Sequence, residues 1–192
     1  MPNTQQILKL KQKPTSLPLM PAIRKRFSPR VFSQEKIPES DLKIILEAGR
    51  WAPSSYNRQP WFFYVAKKDS IAFEKLAQTL VPANNWAEKS PILILACAVS
   101  KDEIGKNNYA EYDLGQSVAY ISLQAQELGY FSHQMAGFDK NLCKKLLQLP
   151  EEHKPKVIIA VGRIGEYDKA DPEIVKKDLK KPSRKDEFFK IL

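Results

Sequence analysis

The chain of 192 residues is poor in glycine, with seven, and poorer still in cysteine and histidine, with two of each. Each shortage excludes a class of chemistry. The glycines at 49, 105, 115, 129, 137, 162 and 165 form neither G-x-G-x-x-G nor G-x-x-x-x-G-K-[ST]. A backbone phosphate cradle of the doubly wound or P-loop kind is therefore disfavoured. His133 and His153 supply no Ser–His–Asp array and no metal-ligand spacing, and both read as surface or structural. Cys97 lies inside the apolar run PILILACAV and Cys143 in a helical pattern, so both read as reduced structural thiols of a cytoplasmic protein. No apolar run reaches the roughly 18–20 residues that cross a bilayer, and the N-terminus lacks the unbroken apolar stretch of a signal peptide.

Acidic residues are missing from one whole region. Residues 1–30 carry Lys9, Lys11, Lys13, Arg24, Lys25, Arg26 and Arg30 with no Asp or Glu, and residues 174–192 carry seven basic groups against three acids. The middle is nearly balanced, so the net charge of +9 comes from the two ends. Polyanions are the first partners such a charge suggests. Two basic ends also suit a solvated surface, or one small phosphate held where the ends meet. Composition leaves all three open.

With 43% hydrophobic and 28% charged residues, the chain has the make-up of one soluble domain. Residues 1–21 read as an N-terminal arm and 22–192 as the domain. PESDLKIILEAGR predicts a helix, with Leu42, Ile45, Leu46 and Gly49 on one face, acids in its first turn and Pro53 beyond its end. WFFYVAK (61–67), PILILACAV (91–99) and KPKVIIAVG (154–162) predict buried strands, and helices are expected over 70–80 and within DKNLCKKLLQLP (139–150). In residues 107–130, Leu114, Val118, Ile121, Ala125 and Leu128 repeat along one flank while Tyr112, Ala119 and Leu123 mark another. That pattern predicts a helix covered on two sides, by a second subunit or by the core of a monomer. Alternating helices and strands give α/β or α+β.

If a phosphate is bound, side chains must hold it, and arginine does so best through its planar fork. RKRFSPRVF sets Arg26, Ser28 and Arg30 at alternate positions. Pro29 forbids a regular helix there, and in an extended segment the three share one face. The connector APSSYNRQPW (52–61) is crowded with polar and aromatic side chains that a plain turn does not need.

RFSPRVF (26–32), ILEAGRWAPSSYNRQPWFFYVA (45–66), DLGQSVAYISLQAQELGY (113–130), HQMAGFD (133–139) and VIIAVGRIGE (157–166) together resemble the nitroreductase family of FMN-dependent oxidoreductases. The R-x-S-x-R arm, followed about twenty-five residues later by A-P-S-S-x-N-x-Q-P-W, is the most specific part. The resemblance implies an α+β fold with a central, mainly antiparallel sheet among helices, and an intertwined homodimer with FMN at the subunit interface.

By the same resemblance, Arg26 grips the FMN phosphate with Phe27 and Ser28 beside it, and Arg30 is the cation next to the flavin pyrimidine ring. Pro53, Ser54, Ser55, Asn57 and Gln59 form a loop reaching the partner's flavin. Arg184 is a second arginine on the phosphate, aided by Lys181 or Lys185. Backbone N–H groups of Ala136 and Gly137 point at flavin N5, with Ala136 replacing a glutamate common in relatives. A further ring contact comes from Asn84 or Asn85. Tyr109, Tyr112 and Phe138 read as core aromatics, with pocket walls the alternative.

The chemistry implied is reduction of FMN by NAD(P)H, followed by transfer to a nitroaromatic, a quinone or a similar electron-poor acceptor, with no side-chain acid, base or nucleophile. The rivals are an oxygen-linked or dehalogenating flavin enzyme of the same superfamily, and a flavin- or nucleic-acid-binding protein without turnover. The expected partners are the second subunit and a small acceptor, without nucleic acid, membrane or metal.

Overall fold

The computed structural model describes residues 1–191. Along the chain lie α1 (Thr4–Leu10), α2 (Pro21–Lys25), α3 (Glu39–Arg50), β1 (Trp61–Lys67), α4 (Ile71–Ala77) and β2 (Ile92–Val99). The short β3 (Lys101–Asp102) and β4 (Gly105–Lys106) come next, then α5 (Ala110–Glu127), β5 (Phe131–Met135), α6 (Lys140–Leu147), β6 (His153–Gly162) and α7 (Pro172–Asp178). Four strands form one sheet in the order β1–β2–β6–β5, with every neighbour antiparallel. This is the α+β architecture expected from the sequence.

Strand β2 shows why an unbroken apolar run is needed at its place. Successive side chains of a strand point to opposite faces, and here both faces are covered. Leu93, Leu95 and Cys97 pack with Phe73, Leu76, Trp86 and Phe138, while Ile92, Ile94, Ala96 and Ala98 pack with Leu42, Ile45, Leu114, Val118 and Ile121. Between Ala96↔Val157 and Cys97↔Pro155 the register with β6 slips by one residue. Pro155 thus sits at a bulge, where a missing ladder N–H does least harm.

Two expectations need correcting. Strand β1 lies at the sheet edge, so only Ala66 of its residues is buried and Phe62 is largely exposed. Residues 131–135, unassigned in the sequence, form β5 against β6.

Helices α3 and α5 cross closely at Gly49. A Cβ there would stand 2.7 Å from Ile121 Cγ1, and Ser117 Oγ donates to the Gly49 carbonyl at 2.7 Å. On α5, Leu114, Val118, Ile121 and Ala125 are buried, but Tyr112, Ala119 and Tyr120 are exposed. Within one chain, only one side of this helix is covered.

The N-terminal arm is docked. Asn3 and Gln6 form a reciprocal capping box on α1, the Ile7 side chain is fully buried, and Thr4 Oγ1 donates to the Gly165 carbonyl at 2.9 Å.

Candidate functional site

After α2 the chain leaves helical geometry at Arg26 and stays outside regular structure to a bend at Arg30, in keeping with Pro29. The Phe27 ring is buried edge-on against Phe131, with centroids 5.2 Å apart. Its side chain is therefore core, and only its backbone is available to a ligand. The Pro29 carbonyl lies 2.9 Å from His133 Nδ1, which fixes the segment along β5. Arg26 Nη1 donates to Ser28 Oγ at 3.4 Å.

Arg184 is exposed on the C-terminal segment, yet close enough to Arg26 that burial first and the Arg184 charge second lower the Arg26 pKa. The two arginines thus come together from opposite ends of the chain. Two further cations join them, and the sequence reading did not place either. Burial, followed by the charges of Arg26, Arg184 and Lys11, pushes the Lys13 ammonium down to about 8. Lys11 Nζ donates to the Lys180 carbonyl at 2.6 Å and lies 5.8 Å from the Phe27 ring centroid. Lys181 and Lys185, the sequence candidates for this role, are exposed. The only hint of Lys13 in the sequence is the acid-free N-terminal stretch.

Arg30 is engaged within its own chain. Its Nη1 donates to Asp178 Oδ1 at 2.6 Å and its backbone N–H to Asp178 Oδ2 at 2.8 Å. Asp178 is buried and also accepts from Tyr167 Oη at 2.7 Å. Burial, then the Asp178 charge and this bond, push the Tyr167 hydroxyl pKa up, so it stays a donor. The Arg30 side chain keeps 29% exposure.

Ala136 and Gly137 follow β5, with Ala136 exposed. The Gly137 carbonyl accepts from Val81 N–H at 3.2 Å and from Asn84 Nδ2 at 2.9 Å. A Cβ on Gly137 would meet Asn84 Nδ2 at 2.8 Å. Of the two asparagine candidates, Asn84 is therefore the one held at this turn; Asn85 is exposed.

The connector 52–61 is strained and pinned. Tyr56, Asn57 and Gln59 all have positive φ, at 53°, 54° and 47°, a backbone state costing on the order of 1 kcal/mol or more per non-glycine residue. Ser54 Oγ accepts from Gln59 N–H at 3.0 Å, and Ser55 N–H donates to Asp113 Oδ2 at 3.1 Å. Arg58 bridges Asp102, at 2.7 Å from its Nε, and the Gly105 carbonyl. Arg58 is thus the anchor, and Pro53, Tyr56, Asn57 and Gln59 are left exposed. No predicted residue outside this connector bonds to it.

Of the aromatic candidates, Phe138 is core, while Tyr109 and Tyr112 are exposed rather than packed. His133 packs at a tilt against Trp86, with centroids 4.5 Å apart, and His153 Nδ1 pairs with Tyr64 Oη at 2.7 Å, so both histidines are engaged in packing and hydrogen bonds of the fold. Among the described residues, no group of three or more His, Cys, Asp or Glu is arranged to hold a metal ion, and no helix is long and apolar enough to cross a membrane.

The family model described as "Nitroreductase family" matches residues 23–91 and 72–163. The chain belongs to the nitroreductase family. That membership makes it an oxidoreductase. A solved structure described as an oxidoreductase containing FMN superposes with a TM-score of 0.82 at 27% identity, covering 90% of this chain and 89% of its own. An NADH dehydrogenase of Thermus thermophilus is 24% identical over 174 residues, 73% of this chain and 84% of its own. An iodotyrosine deiodinase of Haliscomenobacter hydrossis is 24% identical over 179 residues, 78% of this chain and 80% of its own.

Proposed function

We propose that this nitroreductase-family protein binds FMN and passes a hydride from NAD(P)H to an electron-poor small molecule, such as a nitroaromatic or a quinone. The observation that carries the reading is the convergence of Arg26 and Arg184, with Lys13 beside them. Among the described residues, no carboxylate is ion-paired with any of the three. Gathering like charges in a partly buried place is costly unless an anion joins them, and a phosphate monoester offers about two negative charges and three acceptor oxygens. The donor set therefore fits the phosphate of FMN.

The bound flavin would supply the redox chemistry, accepting and donating a hydride. The protein's share is positioning and electrostatics. Arg26, Arg184 and Ser28 hold the phosphate, with the Phe27 backbone beside them. Arg30, fixed by Asp178, sets a cation near the ring, where negative charge gathers on reduction. Ala136 and Gly137 present backbone N–H groups, and the fixed Asn84–Gly137 contact keeps that turn in place.

Pro53, Ser54, Ser55, Asn57 and Gln59 are assigned to the flavin of a second subunit. Support for a homodimer comes from the uncovered flank of α5, from the exposure of Phe188, Phe189 and Ile191, and from a connector that is strained yet turned outward.

A second reading, reductive dehalogenation, is favoured by the likeness to iodotyrosine deiodinase. Steady-state oxidation of NADH and NADPH, with menadione, nitrofurazone and diiodotyrosine as acceptors, tests both. Turnover on the first two, with ping-pong kinetics, is the expected result. Release of iodide from diiodotyrosine without turnover of the others favours the second reading, and no turnover with any acceptor sinks both.

A further inference from the structure

We infer that the N-terminal arm is part of the cofactor site: the segment from Lys11 to Thr15 straps across the phosphate end, and the Lys13 ammonium is a third cation on the FMN phosphate. The inference rests on the proposed flavin reading and extends it to a residue outside the recognised motif.

The strap is stapled on both sides of Lys13. Upstream, the fully buried Ile7 docks α1, and Lys11 Nζ donates to the carbonyl of Lys180, four residues before Arg184. Downstream, Arg24 Nη2 donates to the Thr15 carbonyl at 2.7 Å, two residues before Arg26. One staple ties the arm to the segment that carries Arg184, and the other to the segment that carries Arg26. Lys13 lies between them in the chain, half-buried and near enough to Arg26, Arg184 and Lys11 for their charges to lower its pKa. Pro14 disfavours helical geometry at Lys13, and the Lys13 carbonyl accepts from Thr15 N–H at 2.9 Å, a tight turn about Pro14.

The charges explain why this placement needs a ligand. Lys11 is already engaged by the Lys180 carbonyl and the Phe27 ring. Lys13 Nζ has no hydrogen-bond partner among the described residues, and the charges that act on it, those of Arg26, Arg184 and Lys11, are all cations. A solvated lysine would point away from such neighbours. Held here, it adds repulsion to the flavin-free protein and attraction for an anion at the same spot. Arginine forks bind two oxygens of a phosphate each, and a lysine ammonium serves as a point charge on the remainder.

The test compares two ligands that differ only in the phosphate. FMN and riboflavin are titrated into flavin-free wild-type protein, Lys13→Ala and Lys13→Arg at low salt, following flavin fluorescence. The expected result is an FMN Kd raised about tenfold in Lys13→Ala, which is about 1.4 kcal/mol, with riboflavin affinity unchanged and with Lys13→Arg close to wild type. Flavin-free Lys13→Ala should melt no lower than wild type, because a repulsion has been removed. Equal FMN affinity in wild type and Lys13→Ala, or an equal loss for FMN and riboflavin, overturns the role of Lys13 while leaving the flavin reading standing. Wild-type protein that binds neither flavin overturns both.

Discussion

Removing Asp178 tests the buried network behind the site. Its carboxylate receives three donors, from Arg30 N–H at 2.8 Å, Arg30 Nη1 at 2.6 Å and Tyr167 Oη at 2.7 Å. In Asp178→Ala, the Tyr167 hydroxyl and the Arg30 N–H are left without a partner, at about 1–3 kcal/mol each. The Arg30 side chain, 29% exposed, can turn to water and adds less. A total of about 3–5 kcal/mol also matches the usual cost of breaking a buried ion pair.

At roughly 2–4 °C per kcal/mol for a domain of this size, the melting temperature should fall by about 6–20 °C. Asp178→Asn keeps the shape and two acceptor lone pairs, and Tyr167 can rotate its hydroxyl to accept, so about half that loss is expected. With FMN bound, Asp178→Asn should also raise the flavin reduction potential, because the Arg30 cation loses its counter-charge. Differential scanning fluorimetry and dye-coupled reduction read the two effects. A melting temperature of Asp178→Ala within about 2 °C of wild type, under 1 kcal/mol, would refute the network as drawn.

Ile7→Ala should cost about 2–5 kcal/mol as a cavity in a fully buried position; a melting curve that overlays wild type would show that the arm is not docked. Burial pushes Cys97 up to about 12 and Cys143 up to about 11, so the native protein should not react with a disulfide reagent at pH 8, while the denatured chain releases both thiols. Fast labelling of the native protein would contradict that. Burial lowers the pKa of both His133 and His153, so below about pH 6.5 the unfolded chain binds more protons than the folded one and stability falls as pH drops. Melting temperatures between pH 7.5 and 5.5 should therefore decline, and the His133→Gln/His153→Gln double variant should flatten the slope; a wild-type curve that is level or rises toward low pH would refute this.

The sequence made the helices and the buried strands legible because their apolar residues recur at helical spacing or run unbroken, as in PILILACAV. Strand β5 escaped because three polar residues stand between Phe131 and Met135, with Ser132 buried, His133 half-buried and Gln134 exposed, which erases the alternation of a half-buried strand. The edge position of β1 was equally hidden, since an aromatic-rich run does not say which neighbours it has. The motif in 26–30 could be read locally. Its engagement by Asp178, 148 residues away, and the recruitment of Lys13 could not, because both depend on how the two ends fold back over the core. Gln59 and Asn57 were conspicuous in the sequence, but their positive φ belongs to a pinned loop that only the three-dimensional structure reveals.

The central claim is that cations from both ends of the chain hold one flavin phosphate. Titrating FMN into flavin-free wild type, Arg26→Ala and Arg184→Ala measures it directly. Saturable binding is predicted for wild type, weakened by added salt and by each substitution, with riboflavin bound equally by all three proteins. FMN binding that is indifferent to salt and to both arginines, or no FMN binding at all, would contradict the account.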